Sequence, residues 1–264
     1  MQGMPASALS KRIKHKVELL EKPYLQGLRQ VDMILCFLPR HALITFSQCS
    51  KTCLAHTRQF ILKKQGDLSV GLETQFPVVV SNSIDAEAFP GDFCYLVHSN
   101  LPDWKHDMPS SVVPRTLPVQ VRKCHPASKG WGVYSMSPIK IGMFIGEYSG
   151  RIIRTRDLQG KRCNYVVSVR EEGRGGIWRT NIDASWAGNF ARFINHSCDP
   201  NAELQTYRVR HGSLIPRVHL HAIREIDVSE EITFDYGLKF GTGTTDCLCA
   251  RANCRGKLPF DLTL

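Results

Sequence analysis

The chain has 264 residues, of which 42% are hydrophobic and 22% charged, and its mean hydropathy is −0.20. This is the composition of an ordinary soluble globular protein, and it excludes long disorder, collagen and coiled coil. The longest apolar run, residues 33–38, is too short to cross a bilayer, and residues 1–16 lack the apolar stretch of a signal peptide. We therefore expect an intracellular protein of one or two domains that does not span a membrane.

The formal net charge of +10 is unevenly distributed along the chain. Residues 1–66 carry 11 Lys and Arg against 3 Asp and Glu, residues 67–120 carry 2 against 7, and residues 121–264 carry 21 against 14. A basic balance favours a polyanionic partner such as nucleic acid or chromatin, although a solvated basic surface explains it equally well.

The first part of the chain is predicted to be helical. Apolar residues recur at helical spacing through residues 16–64, with Pro39 interrupting the pattern, which indicates a small helical module at residues 1–66. Residues 67–116 are punctuated by prolines and are predicted to form an extended, linker-like segment with few regular elements.

The pattern after Pro118 is typical of short strands. Alternating or glycine-bounded apolar runs predict strands at residues 119–121, 132–136, 143–148, 165–169, 177–182, 218–223 and 232–236. Residues 173–176 are glycine-rich and predict a hairpin. One helix is predicted between Ser185, as its N-cap, and Pro200, because apolar residues fall at helical spacing at Trp186, Phe190, Phe193 and Ile194.

Three cysteines crowd into the C-terminal tail, and a fourth lies upstream. Cys247, Cys249, Cys254 and Cys198 could hold a tetrahedral structural zinc ion at about 2.3 Å. Reactive thiols in a loose tail are the alternative. The other cysteines have no ligand spacing and are expected mostly as small buried hydrophobes, namely Cys36, Cys49, Cys53, Cys94, Cys124 and Cys163.

Five motifs follow one another along the second half of the chain. They are Gly130-Trp131-Gly132, Tyr148-Ser149-Gly150, the run from Arg192 to Asn201, the run from Glu231 to Gly237, and the cysteine tail. This ordered set resembles the SET domain of protein lysine methyltransferases with its post-SET zinc tail. The resemblance implies a mainly β, pseudoknotted SET (β-clip) fold with few short helices, preceded by the small helical module. It places the SET domain at residues 117–240 and the zinc tail at 241–264.

Within the family, the sequence is most similar to the branch that acts on lysine 9 of histone H3. The similarity lies in residues 182–184, 216–218 and 234–237, and residues 78–95 resemble the opening of that branch's pre-SET segment. The pre-SET segment of the branch continues into a cysteine cluster, whereas residues 96–123 contain no cysteine. The resemblance therefore implies a degenerate pre-SET at 67–116 and a nuclear, chromosomal enzyme that prefers lysine 9.

The resemblance also implies roles for three aromatic residues. Tyr236 would be the catalytic tyrosine beside the transferring methyl, and Tyr165 would hold the substrate amine. Phe234 would set how many methyl groups fit. Because phenylalanine has no hydroxyl to hold a water, di- or trimethylation is implied. A half-buried strand tyrosine and an ordinary core phenylalanine are the structural alternatives.

The implied cofactors are S-adenosylmethionine, as methyl donor, and Zn²⁺ in the tail. The donor-binding residues expected from the resemblance are Gly130, Trp131, Gly132, Tyr148, Arg192, Asn195, His196 and Phe240. The two glycines would let the backbone approach the donor, and Phe240 would cover its adenine. Arg192 would lie near the donor carboxylate or, alternatively, pair with Asp183 or Asp235.

Residues 25–62 weakly resemble an F-box, which docks a Skp-type adaptor of a ubiquitin ligase. A plain helical cap on the SET core explains the same apolar spacing. The predicted function is donor-dependent methylation of a protein lysine, with a histone H3 tail as preferred substrate. The alternative is a non-catalytic chromatin adaptor or ubiquitin-ligase subunit with a degenerate SET module.

Overall fold

The computed structural model describes residues 35, 40–69, 72–73, 76–87, 89, 93–99, 117–158, 164–173, 175–208, 215–237 and 242–259. Two helices lie near the N-terminus, α1 (Arg40–Ser47) and α2 (Lys51–Gly66). Within the described ranges, no helix has the length and apolar character needed to cross a membrane. The predicted fold class, mainly β with few helices and a helical N-terminal part, is confirmed.

Short strands make up most of the described structure. They are β1 (Val79–Ser81), β2 (Cys94–Tyr95), β3 (Val119–Lys123), β4 (Trp131–Ser135), β5 (Phe144–Glu147), β6 (Gly150–Ile153), β7 (Val166–Gly173), β8 (Gly176–Gly188), β9 (Asn195–His196), β10 (Ala202–Tyr207), β11 (Arg217–Ala222), β12 (Glu231–Phe234), β13 (Thr242–Asp246) and β14 (Lys257–Pro259). Single 3₁₀ turns cover Ala127–Lys129, Thr155–Asp157 and Phe190–Phe193.

The larger sheet has the strand order β1-β3-β4-β12-β10-β11-β5, and β9 pairs with β12. Its apolar side chains form the core, because alternate residues of each strand point to the same face. Val121, Val133, Ile145, Leu220 and Ile232 are completely buried there. All seven strands predicted from the sequence overlap observed strands, whereas seven other strands were not predicted, namely β1, β2, β6, β9, β10, β13 and β14.

The second sheet has the order β2-β8-β6, with β7 paired to β8. The predicted hairpin is confirmed, since Gly173 pairs with Gly176 across a two-residue turn. Gly175 and Gly176 have φ values of +107° and +124°, which L side chains rarely adopt and which glycine reaches without strain. A separate two-stranded sheet of β13 and β14 shapes the C-terminal tail.

The helix predicted from Ser185 is wrong. Strand β8 continues to Gly188, and only one 3₁₀ turn follows before β9. The cap of this turn is Asn189, whose side chain accepts from the N–H of Ala191 and donates to the carbonyl of Glu147. Trp186 is 39% exposed, so the helical spacing of apolar residues did not mark one buried face.

Residues 76–99, which we call the wrapping segment, contribute one strand to each of the two larger sheets. Strand β1 pairs in parallel with β3, and β2 pairs in parallel with β8. Two charged side chains of the larger sheet are buried against the wrapping segment. Lys123 pairs with Asp85 and Glu87. Glu147 accepts from the N–H of Ser99 and also pairs with Arg217.

Parts of several sequence predictions lie outside the described residues. Phe240, Cys36 and Cys163 are among them, as are residues 25–34 and 36–39 of the F-box-like stretch. The domain boundaries and the choice between an F-box and a helical cap stay predictions. Of the cysteines expected to be buried, Cys53, Cys94 and Cys124 are, and Cys49 is exposed.

Candidate active site

A cleft of about 1300 Å³ runs between the edges of β7 and β10 and reaches the ends of β9 and β12. Among the described strands, β7 pairs only with β8, and β10 pairs with β11 and, at Ala202, with β12. Eight residues predicted from the sequence line this cleft, namely Gly130, Trp131, Tyr148, Tyr165, Arg192, Asn195, Phe234 and Tyr236. The predicted Gly132 and His196 are not among the residues that line it.

The position of Tyr236 follows from the parallel pairing of β9 with β12. This pairing sets Asn195 opposite Thr233 and His196 opposite Phe234. The N–H of Tyr236 then donates to His196 Nδ1 at 3.2 Å, and its hydroxyl donates to the Ile194 carbonyl at 2.9 Å. Burial raises the pKa of Tyr236, so its phenol is neutral at physiological pH.

Two further tyrosines stand on the other side of the cleft. Tyr165 is 37% exposed, and the Arg192 guanidinium lies 4.1 Å from the centre of its ring. The hydroxyl of Tyr148 donates to the Tyr165 carbonyl at 3.0 Å, and burial raises the pKa of Tyr148. Tyr148 therefore supports the backbone of Tyr165, while the ring of Tyr165 remains accessible from the cleft.

Arg192 does not form the predicted ion pair with Asp183 or Asp235. Its Nε donates to the Ala184 carbonyl at 2.8 Å, and Nη2 donates to the Ser185 carbonyl at 3.3 Å. In the described residues, Asp183 instead accepts from a backbone N–H and Asp235 pairs with another arginine. Burial lowers the pKa of Arg192. The two hydrogen bonds of the guanidinium thus hold the backbone near the end of β8 in place at the cleft.

The two glycines of the Gly-Trp-Gly motif have different surroundings. Gly130 has a φ of +81°, and a Cβ added there would meet no atom within 4 Å. A Cβ on Gly132 would lie 2.6 Å from Cys124 Sγ, 2.8 Å from Glu231 Oε1 and 3.1 Å from Asn195 Nδ2. Glycine is therefore required at position 132 because a Cβ would collide with side chains of the protein itself. The predicted role of Gly132 was different, namely to let the backbone approach the donor.

These side chains belong to a polar network behind the cleft that sequence analysis missed. Asn195 Nδ2 donates to Glu231 Oε1 at 2.9 Å and to the Trp131 carbonyl at 3.1 Å. Lys129 Nζ donates to Glu231 Oε2 at 2.5 Å. The sequence contained only a weak indication of this network, namely that Lys129 directly precedes the Gly-Trp-Gly motif and that Glu231 is the first residue of the last motif. The network holds Asn195 against the turn that contains Trp131.

Trp131 is only 8% exposed, and its indole contacts Phe89 edge-on at 4.9 Å between ring centres. Its Nε1 is buried and has no hydrogen-bond partner within the part of the chain that the structure describes. Buried N–H groups normally have a partner. Trp131 therefore borders the cleft while its N–H is enclosed by the protein.

The four cysteines predicted as zinc ligands come together in the tail. The sulfurs of Cys198, Cys247, Cys249 and Cys254 all lie within 4.8 Å of one another, and those of Cys198 and Cys247 are 3.9 Å apart. A tetrahedral zinc ion with bonds of about 2.3 Å separates its sulfurs by about 3.8 Å. The set therefore fits zinc with small adjustments, and this cysteine cluster could bind the metal.

Several known proteins are similar to this chain. Residues 130–237 match the SET domain family. A probable histone-lysine N-methyltransferase, set-23 of Caenorhabditis briggsae, is 38% identical over 146 residues, which cover 52% of this chain and 59% of that protein. The chain spans less than two thirds of the length of these curated relatives: 59% of set-23 and 24% of the histone-lysine N-methyltransferase SETMAR of Homo sapiens, to which it is 32% identical over 167 residues.

Solved structures show the same fold. SUVH6 of Arabidopsis thaliana, in complex with SAM, superposes with a TM-score of 0.61 at 25% identity over 73% of this chain and 55% of that one. KRYPTONITE, in complex with mCHH DNA, an H3(1-15) peptide and SAH, superposes with a TM-score of 0.57 at 24% identity over 73% of this chain and 53% of that one.

Proposed function

We propose that the SET domain at residues 130–237 makes this chain a protein-lysine N-methyltransferase whose methyl donor is S-adenosylmethionine. The observation that carries the proposal is the anchoring of Tyr236 between His196 and Ile194, beside Phe234, in a cleft that Tyr165 faces from the other side. The relatives named as histone-lysine methyltransferases and the donor bound to SUVH6 support it.

The reaction needs a neutral lysine amine. A free lysine with a pKa near 10.4 is neutral in only about one part in a thousand at pH 7.4, which corresponds to about 4 kcal/mol. The donor, when bound, supplies an electrophilic methyl group on a positively charged sulfur. The tyrosines of this chain contribute by position, because the hydroxyls of Tyr165 and Tyr236 can accept from the amine. Burial, which raises the pKa of Tyr236, keeps that hydroxyl uncharged.

Holding the amine in line with the methyl group is the other contribution of the chain. A reactant fixed in a near-attack geometry avoids several kcal/mol of entropic cost. Tyr236 is suited to this task because both its backbone N–H and its hydroxyl are bonded within the protein. Its ring centre also lies 5.0 Å from that of Phe234, which limits its movement.

The shape of the cleft favours an extended peptide as the substrate. Residues 166–170 of β7 and 203–206 of β10 line its two sides, and these strand edges are unpaired in the described structure. Such edges bind an extended segment through backbone hydrogen bonds. We infer a histone H3 tail, with lysine 9 preferred, from the peptide bound to KRYPTONITE and from the motifs of the lysine 9 branch. A nuclear, chromatin-associated enzyme follows from this substrate.

The degree of methylation is inferred from Phe234. This side chain is buried at the cleft and has no hydroxyl to hold a water in the space of an added methyl group. Di- or trimethyl-lysine is therefore the expected product. The cysteine cluster would hold zinc and connect the tail to the site through Cys198, which lies two residues after His196.

Two measurements test the proposal. Calorimetry on the zinc-loaded protein should detect binding of S-adenosylmethionine, and mass spectrometry should detect methyl transfer to recombinant histone H3. The Tyr236→Phe variant should lose most turnover but keep donor affinity near that of the wild type. A protein that binds no donor would instead support the non-catalytic adaptor, and unchanged turnover in Tyr236→Phe would contradict the role of that tyrosine.

A further inference from the structure

We propose that Arg255 is a positioning residue that couples the cysteine cluster to Tyr236. The inference rests on the proposed function, because it concerns how the catalytic tyrosine is held. Arg255 directly follows Cys254 in the tail. It is not one of the predicted site residues, and it does not line the cleft.

Arg255 contacts the cysteine cluster and the end of β12 at the same time. Its backbone N–H donates to Cys198 Sγ at 3.3 Å, and its Nε donates to the same sulfur at 3.4 Å. Its Nη2 donates to Asp235 Oδ1 at 2.6 Å. One guanidinium thus bonds a candidate metal ligand with one nitrogen and a residue adjacent to Tyr236 with another.

Asp235 passes this constraint to its neighbour. The residue stands between Phe234 and Tyr236, and its Oδ1 also accepts from the N–H of Gly237 at 3.0 Å. The carboxylate therefore fixes the backbone on both sides of Tyr236. Although desolvation opposes it, the hydrogen bond from Arg255 lowers the pKa of Asp235, so the carboxylate stays charged and the pair stays intact near neutral pH.

His196 provides a second connection between the same two groups. The N–H of Tyr236 can only donate, so His196 Nδ1 accepts from it, and Nε2 is the ring nitrogen that can donate. His196 Nε2 lies 3.3 Å from Cys198 Sγ, within reach to donate to that sulfur. Arg255 Nη2 is 3.1 Å from the same nitrogen, but both groups are N–H donors, so Arg255 acts through its bonds to Cys198 and Asp235.

The role of a positioning residue follows from the direction of these contacts. A bond to a metal-held sulfur immobilises one end of Arg255, and the bond to Asp235 transfers that rigidity to the backbone of Tyr236. Outer-shell partners orient ligands in this way in many metal sites. Because a displacement of about 1 Å at a reacting group costs up to about 100-fold in rate, loss of the link should lower kcat by about 10- to 100-fold.

The test compares Arg255→Met with a matched control, Arg251→Met, in the full chain. Arg251 is in the same tail and is similarly exposed, at 39% of its side chain against 42% for Arg255. Its nearest acidic partner, Asp199, is 4.0 Å away. Both variants remove one positive charge, so a general effect of charge on substrate binding would appear in both.

Four quantities are measured on zinc-loaded protein: bound zinc, affinity for S-adenosylhomocysteine, and kcat and KM on recombinant histone H3. We expect Arg255→Met to keep its zinc and its donor affinity within about twofold, to keep KM, and to lose about 10- to 100-fold in kcat. Arg251→Met should match the wild type. Asp235→Asn should resemble Arg255→Met, and the double variant should be no slower than either single one, since both remove the same link.

Several outcomes would overturn the inference. These are an unchanged kcat in Arg255→Met, a loss of zinc together with activity, or additive losses in the double variant. If Arg255→Met does not fold, Arg255→Lys takes its place. A lysine reaches Asp235 but cannot bond the carboxylate and Cys198 with separate nitrogens, so a partial loss of kcat is expected and full wild-type activity would contradict the inference.

Hydrogen exchange separates this inference from the proposed function. The amides of residues 231–237 should exchange faster in zinc-loaded Arg255→Met than in Arg251→Met, because the link to Asp235 is gone. This readout needs no turnover. If the wild type methylates nothing but the exchange difference is present, the coupling stands and the methyltransferase proposal fails. Equal exchange in the two variants refutes the coupling whatever the activity.

Discussion

Replacing Gly132 by alanine should disrupt the network behind the cleft, and the structure allows the size of the effect to be worked out. The new Cβ would approach Cys124 Sγ to 2.6 Å and Glu231 Oε1 to 2.8 Å, distances at which one of the groups must move. Overpacking of this kind costs about 1–3 kcal/mol. If Asn195 moves, its hydrogen bond to the Glu231 carboxylate is also lost, at about 1.5–3 kcal/mol.

The expected loss of stability is therefore about 1–3 kcal/mol from overpacking alone, and about 2.5–6 kcal/mol if the hydrogen bond of Asn195 is also lost. For a protein of this size, each kcal/mol lowers the Tm by about 2–4 °C. Gly130→Ala is the matched control, since its Cβ meets no atom within 4 Å and it pays only the cost of an unfavourable backbone conformation (φ +81°, ψ −134°), about 1–3 kcal/mol. Thermal unfolding of both zinc-loaded variants gives the comparison.

A second variant tests the steric cause directly. Cys124→Ala removes the atom nearest to the new Cβ, so combining it with Gly132→Ala should recover part of the lost stability relative to the sum of the single losses. Donor affinity should fall in Gly132→Ala because Asn195, which lines the cleft, is displaced. If Gly132→Ala is no less stable than Gly130→Ala, or if Cys124→Ala brings no recovery, the steric reasoning is refuted.

Three other predictions concern the product, the metal and the pH dependence. Phe234→Tyr should shift the product towards monomethyl-lysine, because the new hydroxyl can hold a water where a methyl group would stand; an unaltered product distribution by mass spectrometry would contradict the argument from pocket size. Cys254→Ser should lose most of its zinc in metal analysis and most of its turnover, whereas full activity with zinc retained would show that this sulfur is not a ligand. Burial lowers the pKa of His219 to about 4, so its contribution to stability is complete above pH 6.5 and is lost as the pH falls to about 4. His219→Gln should therefore show a smaller drop in Tm between these pH values than the wild type, and an equal drop would exclude His219 as the cause.

The strands of the core were predictable because their burial is periodic. In β3, buried and half-buried residues alternate, and this alternation is visible in the sequence as Val119 and Val121. Strand β10 was missed since only Ala202 of its six residues is buried, and an exposed strand beside a cleft has no apolar pattern. Strand β13 is polar throughout and lies next to the cysteine cluster, so hydrophobic patterning could not predict it.

The site was predictable to the extent that its residues stand in short motifs. Asn195 and Tyr236 were found because each belongs to a distinctive run of neighbours. Glu231, Lys129 and Arg255 act through single polar contacts between residues far apart in the sequence, which leave no periodic signal. Lys129 and Glu231 are about one hundred positions apart and meet only because β4 and β12 are neighbours in the sheet.

The two parallel pairings of the wrapping segment determine where this chain can be shortened. A fragment that began at residue 117 would keep every motif, yet it would leave Lys123 without its two acidic partners and Glu147 without His98. A charged side chain that loses its acidic partners in this way destabilises the fold, because its desolvation is then no longer compensated. Expression trials and deletion mapping should therefore start upstream of residue 76. A shorter fragment that showed no activity would indicate misfolding and could not be used to judge the catalytic residues.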